Sequence, residues 1–206
     1  MAFVGSKENI TAEVAVVGGG PAGLMSALAL AAGGVDTLLI APAPADDHRT
    51  TALFAGSVTA LATLGVWEAC LPHAAPLITI RIIDDTQRLL RAPEVTFTAA
   101  EIGLDAFGYN IENRHLIAAL YARAAQLKLS RIAEPALAVT SDAAGVTIKL
   151  ADGEARVQLA VGADGQRSLC RAAAGIGTNR RTYPQTALTL NLAHARPHHD
   201  TSTEFH

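Results

Sequence analysis

The sequence predicts an α/β fold, on three observations. An apolar run at 14–17 passes through three glycines and a proline into an alanine- and leucine-rich segment at 22–32, and a second apolar run follows at 35–40. The glycines stand as Gly18-x-Gly20-x-x-Gly23. Later strand-like runs, 146–150 and 155–161, flank Asp152-Gly153, which marks a tight antiparallel turn. Strand, helix and strand in close succession indicate a parallel sheet with helices laid on it.

The opening β-α-β unit can be justified residue by residue. Val14 to Val17 are all apolar, as suits a strand buried on both faces. Gly18 permits the tight turn out of that strand. Gly20 has no Cβ, so a pyrophosphate can approach the backbone, and Gly23 lets the helix pack closely on the strand. Pro21 falls in the first helical turn, where a missing N–H costs nothing. The free N–H groups there attract phosphate. Together these residues read as a Rossmann-like dinucleotide site, the alternative being a ligand-free glycine turn. One feature of such sites is missing. An Asp or Glu for a ribose hydroxyl belongs about 20 residues on, at the end of the second strand. Ala41 and Pro42 stand there, Asp36 comes too early, and Asp46 and Asp47 fall in the following loop.

Composition narrows the function classes. The chain has 206 residues, enough for one domain and part of another, and half of them are apolar. A net charge of −3 gives no electrostatic footprint for nucleic acid. Two cysteines far apart, Cys70 and Cys170, suggest a reducing compartment and no disulfide framework. No run is long enough to span a membrane, and the first residues lack a signal-peptide core. These features place the chain in the cytoplasm.

The remaining elements follow in order. Residues 1–12 read as a disordered lead. The proline-rich loop at 41–47 runs into Arg49, which could reach a phosphate or sit solvated. Residues 57–68 carry a helical stripe of Val58, Leu61, Ala62 and Leu64, with a stop at Gly65. Residues 71–76 read as loop, 77–83 as a strand and 87–91 as its hairpin return. Asp84-Asp85 reads as the solvated turn between them. After a short extended stretch at 107–112, Asn113 is the expected N-cap of a helix with Leu116, Ala119, Leu120 and Ala124 on one face. Arg114 in its first turn opposes the helix dipole, which suggests either an anionic partner or an ion pair with Glu112. Strands at 136–140, 146–150 and 155–161 form a meander that leads into Gly162-Ala163-Asp164-Gly165 and a helix at 168–174. That turn is either a ligand edge or a simple turn with Asp164 as the cap. Gln185 to Arg196 alternates through Leu188, Leu190 and Leu192 and reads as a strand of a new sheet. His198-His199 in the polar tail is not read as a metal site.

The GGGPAG turn at 18–23, Arg49-Thr50-Thr51-Ala52-Leu53 and GADGQRS at 162–168 resemble, in this order, the FAD-dependent aromatic hydroxylases of the 4-hydroxybenzoate hydroxylase type. The ubiquinone-biosynthesis hydroxylases are the nearest group. Residues 108–120 and the QTAL segment fit the same pattern. The resemblance implies a Rossmann-like FAD-binding domain at 13–180 with an antiparallel β-meander. A hairpin near 77–91 would belong to the substrate side, and 181–206 would start a substrate-domain sheet. It implies that Gly18, Gly20 and Gly23 cradle the FAD pyrophosphate, that Arg49 contacts the cofactor and that Arg114 lies beside the flavin. Asp164 would help bind FAD and serve NAD(P)H use. No catalytic acid or base is assigned, and no metal. The implied reaction is hydroxylation of a small aromatic substrate, a prenylated phenol or quinone precursor, with NAD(P)H and O2. Such a substrate implies transient contact with a membrane surface, peripheral to the inner membrane, and leaves room for a multi-enzyme or homo-oligomeric assembly. Two departures stand out: Ala41 replaces the ribose acid, and the family's later Gly-Asp segment for the ribityl chain is not in these 206 residues, as in an N-terminal fragment. The rival readings are an inert FAD-domain fragment or binding module, a flavin-dependent prenyl reductase, and an NAD(P)-binding reductase without flavin. The GADG segment argues against the last.

Overall fold

The computed structural model describes residues 9–206. Strand β1, Ile10–Val17, enters helix α1, Pro21–Ala32, and β2, Thr37–Ile40, completes the β-α-β unit. Then come β3, Thr50–Phe54; α2, Ala55–Thr63; α3, Trp67–Cys70; and β4, Ala74–Leu77. Strands β5, Thr79–Ile83, β6, Val95–Thr98, and β7, Gly108–Glu112, precede helix α4, Asn113–Gln126. The chain continues through β8, Ser130–Ile132; β9, Ala138–Asp142; β10, Gly145–Leu150; and β11, Gly153–Gly162. It closes with helix α5, Leu169–Ala173, and β12, Thr201–Phe205.

The main sheet has six strands in the order β8-β2-β1-β11-β10-β9. Strand β1 pairs parallel with both β2 and β11, and β2 pairs parallel with β8. The β9-β10-β11 meander is antiparallel, as its Asp152-Gly153 turn predicts. Alternation along β1 builds a core on each face. Val16 packs with Leu24, Leu28, Leu39, Leu116 and Leu120 beneath α1 and α4. Ala15 and Val17 pack on the opposite side with Leu38, Ile40, Ile148 and Val157. The four α4 positions expected on one face, Leu116, Ala119, Leu120 and Ala124, are all buried.

Two smaller sheets flank this body: β3-β7-β4 and β12-β5-β6. Pro76 sits in β4, an edge strand, where its missing N–H leaves no bond unmade.

Several boundaries differ from the sequence reading, each for a physical reason. Of the expected disordered lead, residues 1–8 lie outside the described residues, whereas Ile10, Thr11 and Ala12 belong to β1 because β11 offers ten residues of parallel partner. The helix expected at 57–68 is two helices, broken where Gly65 adopts φ +71°. Part of the loop expected at 71–76 is strand β4. The partner of β5 is β6 rather than residues 87–91; the Val-Thr-Phe-Thr run there is richer in strand-forming residues. Asn113 does not cap α4. Glu112 holds the N-cap position without a side-chain cap bond, and the Asn113 amide turns to Thr51 and Asp47. Residues 185–196 form no strand, and Leu188, Leu190 and Leu192 are exposed. The polar tail forms β12 instead, paired parallel with β5.

Candidate functional site

The glycine turn is pinned on both sides by the main sheet. Gly18 N donates to Ile40 O at 2.9 Å, and Ala163 N donates to Val17 O at 2.8 Å. The ends of β1, β2 and β11 therefore meet around the turn. Gly18 has φ +118°, a conformation L-residues rarely adopt, and a Cβ there would run into the Ala163 carbonyl. A Cβ on Gly23 would run into the Gly18 carbonyl. Gly20 is different. Its φ is −73°, and a Cβ would meet nothing within 4 Å. Two of the three glycines thus answer to packing, and the third faces open space.

That open space continues into a cleft of about 450 Å³ lined by Gly18, Gly20, Pro42, Ala136, Asp164 and Arg167, among others. Gly20 is the N-cap of α1 and Pro21 its first residue. No acidic side chain occupies the first turn of α1, so none competes there for the helix dipole.

Asp164 sits on the cleft wall and also binds the first turn of α5, whose N-cap residue is Ser168. Its carboxylate accepts from Ser168 Oγ at 2.5 Å, from Leu169 N at 2.5 Å and from Cys170 N at 3.1 Å. Burial alone would push the Asp164 carboxyl up, but these hydrogen bonds outweigh it and hold the group below its ordinary pKa. Beside it, burial and the Asp164 charge push the Cys170 thiol up to about 11.

The two arginines singled out by sequence lie away from this cleft. The Arg49 side chain is 72% exposed and forms a fork on Asp47, with Nε–Oδ1 at 2.9 Å and Nη2–Oδ2 at 2.8 Å. The Asp47 carboxyl, bonded by Arg49 and by the Asn113 amide, lies well below the usual carboxylate range. Arg114 makes the ion pair with Glu112, at 2.6 Å. It lines a second cavity of about 440 Å³ across the 42–46 loop. The structure thus brings Gly18, Gly20 and Asp164 to one cleft, sets Gly23 beneath it and places Arg49 and Arg114 outside it.

Sequence reasoning missed three residues here. A Cβ on Gly19 would come within 2.7 Å of the Ala41 Cβ and 2.8 Å of Tyr121 Oη. Arg131, on β8, is 8% exposed, and its Nη2 donates to Ala41 O at 3.2 Å and Pro42 O at 2.8 Å. Tyr121 lies under it, with 4.6 Å from the guanidinium carbon to the ring centroid. The run of three consecutive glycines, of which it is the middle one, could have flagged Gly19. A single arginine in a three-residue strand carries no local signal. Among the described residues no group of three or more His, Cys, Asp or Glu side chains is placed to hold a metal ion. No described helix is long and apolar enough to cross a membrane.

The turn fits the pyrophosphate of a dinucleotide: open space above Gly20, a helix N-terminus behind it and a cleft alongside. Ala41, fully buried at the end of β2, supplies no carboxylate for a ribose. A family model described as an FAD binding domain matches residues 11–205. Ubiquinone hydroxylase UbiL of Rhodospirillum rubrum is 34% identical over 210 residues, which cover 97% of this chain and 48% of that protein. The 3-demethoxyubiquinol 3-hydroxylase of Escherichia coli is 34% identical over 200 residues, covering 89% and 49%. The chain spans about half the length of these curated relatives. Among solved structures, the flavin-dependent monooxygenase PieE, in complex with FAD and substrate, superposes with a TM-score of 0.66 at 25% identity, covering 81% of this chain and 32% of that one. PqsL from Pseudomonas aeruginosa, a probable FAD-dependent monooxygenase, gives 0.69 at 21% identity over 84% and 48%, a likeness of fold alone.

Proposed function

The chain belongs to the FAD binding domain family, and from that premise we propose that it is the FAD-holding part of a monooxygenase that hydroxylates an aromatic ring with NAD(P)H and O2. The substrate class is a prenylated phenol or quinone precursor. The observation that carries this reading is Gly20: ordinary backbone, no neighbour at its Cβ, and a helix N-terminus opening on a cleft. The two relatives, a ubiquinone hydroxylase and a 3-demethoxyubiquinol 3-hydroxylase, support the substrate class.

Each residue then has a role. Gly18 and Gly23 hold the turn and α1 close to β1, and Gly20 admits the pyrophosphate. Asp164 fixes the turn after β11 at the cleft's far wall and serves reductant use there. Arg49, on an exposed loop, is freed from Asp47 to reach a phosphate, and Arg114 lies on the flavin side. The bound cofactor supplies the electron and oxygen-transfer chemistry; the chain supplies position. The β12-β5-β6 sheet begins the substrate side, with 13–180 as the cofactor domain. A prenylated substrate brings the protein transiently to a membrane surface, and assembly with itself or with neighbouring enzymes suits that setting.

The test couples reductant consumption to product. The protein carrying this chain is supplied with FAD, NADH or NADPH, and a prenylated phenol, and products are read by mass spectrometry. A product gaining one oxygen atom supports the proposal. Reductant consumption that yields a product with saturated prenyl double bonds identifies a reductase instead.

A further inference from the structure

The two most exposed large apolar side chains among the described residues are neighbours. Leu89 is fully exposed and Leu90 is 87% exposed, in the loop between β5 and β6. Turn residues are ordinarily small or polar, so adjacent bare leucines are unusual there. The segment around them, Thr86-Gln87-Arg88-Leu89-Leu90-Arg91-Ala92, sets an arginine on each side and holds no acid. The loop has a built foot. Asp84 gathers both of its ends: one carboxylate oxygen accepts from Thr86 N at 3.0 Å and the other from Ala92 N at 2.8 Å. Asp85 N donates to His206 O at 2.8 Å, which ties the same foot to the end of β12. The acids stay at this foot, each beside a cation: Asp85 lies 3.8 Å from Arg91, and Glu94 lies 3.8 Å from Arg81. Arg88 pairs with no carboxylate among the described residues.

Apolar surface continues from the loop onto its sheet. Val95, the first residue of β6, stands opposite Ile82, and Phe97 stands opposite Ile80, which puts all four on one face. Val95 and Phe97 are both more than two-fifths exposed. Leucine side chains suit hydrocarbon, and an arginine can lay its stem along apolar surface while its head stays among polar groups. Each basic residue near an anionic membrane adds attraction. We propose that this loop is a membrane-docking tip. Leu89 and Leu90 enter the acyl boundary of an anionic bilayer, and Arg88 and Arg91 bind its phosphate groups. The exposed pair of Arg91 with Asp85 is worth little, so Arg91 can exchange it for a phosphate. So small an apolar tip gives reversible contact, not permanent anchoring. Its use rests on the proposed prenylated substrate, which a bilayer would hold; the loop's geometry stands apart from that reading.

Co-sedimentation of the protein carrying this chain with lipid vesicles tests this without FAD, reductant or substrate, so its failure is separable from failure of the hydroxylase reading. The vesicles are phosphatidylcholine alone and an equal mixture of phosphatidylcholine with phosphatidylglycerol. Binding to the mixture should be saturable, severalfold tighter than to phosphatidylcholine, and weakened by salt. Leu89→Ser combined with Leu90→Ser should weaken it about tenfold or more, with Tm unchanged because both side chains are already exposed in the folded protein. Arg88→Gln should weaken it severalfold on the mixture and leave binding to phosphatidylcholine as it was. In Leu90→Trp, the new fluorescence should shift to the blue on vesicles. The proposal is overturned if neither vesicle binds the protein, if the double variant binds like the wild type, or if Leu90→Trp binds with no shift. It is also overturned if the double variant melts lower or changes its assembled mass, which would make the leucines a contact with another part of the protein or with a second copy.

Discussion

Replacing Gly20 with alanine separates the fold of the glycine turn from its function. The backbone there has φ −73° and ψ 174°, which any L-residue adopts, and the new methyl meets nothing within 4 Å. The folded state therefore takes the change without a clash. Reduced freedom in the unfolded chain favours alanine by about 0.4–1 kcal/mol. Alanine's poorer standing at an N-cap opposes this by about 1 kcal/mol. The net is within about 1 kcal/mol of zero, a Tm change of no more than about 2–4 °C for a chain of this size. Binding should respond quite differently. The methyl fills the approach to the α1 amides, and the loss of one hydrogen bond to a charged phosphate costs about 1.5–3 kcal/mol. At about 1.4 kcal/mol per decade, FAD affinity falls about ten- to a hundredfold. Flavin fluorescence quenching on titration measures the affinity, and circular dichroism melting measures the fold. Gly23→Ala is the counter-case: its Cβ would overlap the Gly18 carbonyl, and such overpacking costs about 1–3 kcal/mol. The reasoning is refuted if Gly20→Ala binds FAD like the wild type, or if it melts as low as Gly23→Ala.

Three further outcomes follow from the same geometry. Leu120→Ala removes a fully buried side chain between α4 and the sheet and should lower the unfolding free energy by about 2–5 kcal/mol in a urea titration; a loss under about 1 kcal/mol would contradict the core assignment. Asp47 has a folded pKa below its ordinary value, so its contribution is present above about pH 4 and fades as the pH drops further. Asp47→Asn should therefore melt below the wild type at pH 7, with the gap narrowing in acid, and a gap that widens in acid would reverse the sign. With its thiol pushed up to about 11, Cys170 holds roughly one thiolate in a thousand at pH 8, against about one in four for a free cysteine. Alkylation of the folded protein should be about a hundredfold slower than that of the unfolded chain; a fast-reacting Cys170 would show that the burial at Gly162 and α5 is wrong.

The parts legible in the sequence were those with local causes. The glycine spacing follows from contacts within one β-α-β unit, and the meander follows from Asp152-Gly153. The buried face of α4 follows from helical period alone. What escaped depends on distant partners. Strand β12 pairs with β5 from more than a hundred residues away, and nothing in its polar tail announces that. Residues 185–196 show the opposite failure, since leucine alternation makes a strand only where a neighbour supplies hydrogen bonds. At the site, Asp164 was legible both as a cleft residue and as a cap, because a Gly-Ala-Asp-Gly context suits either; it lines the cleft and its carboxylate also accepts from the first amides of α5. Arg131 was invisible because its meaning lies in where β8 sits, next to β2, and not in its neighbours in sequence.

The account stands on FAD occupying the cleft beside Gly20. The most direct measurement is a visible spectrum of the purified chain after incubation with FAD and desalting. The account predicts flavin absorption near one equivalent per chain, held through the desalting column and sharply reduced in Gly20→Ala. A folded, colourless protein that takes up no flavin at saturating FAD would contradict it.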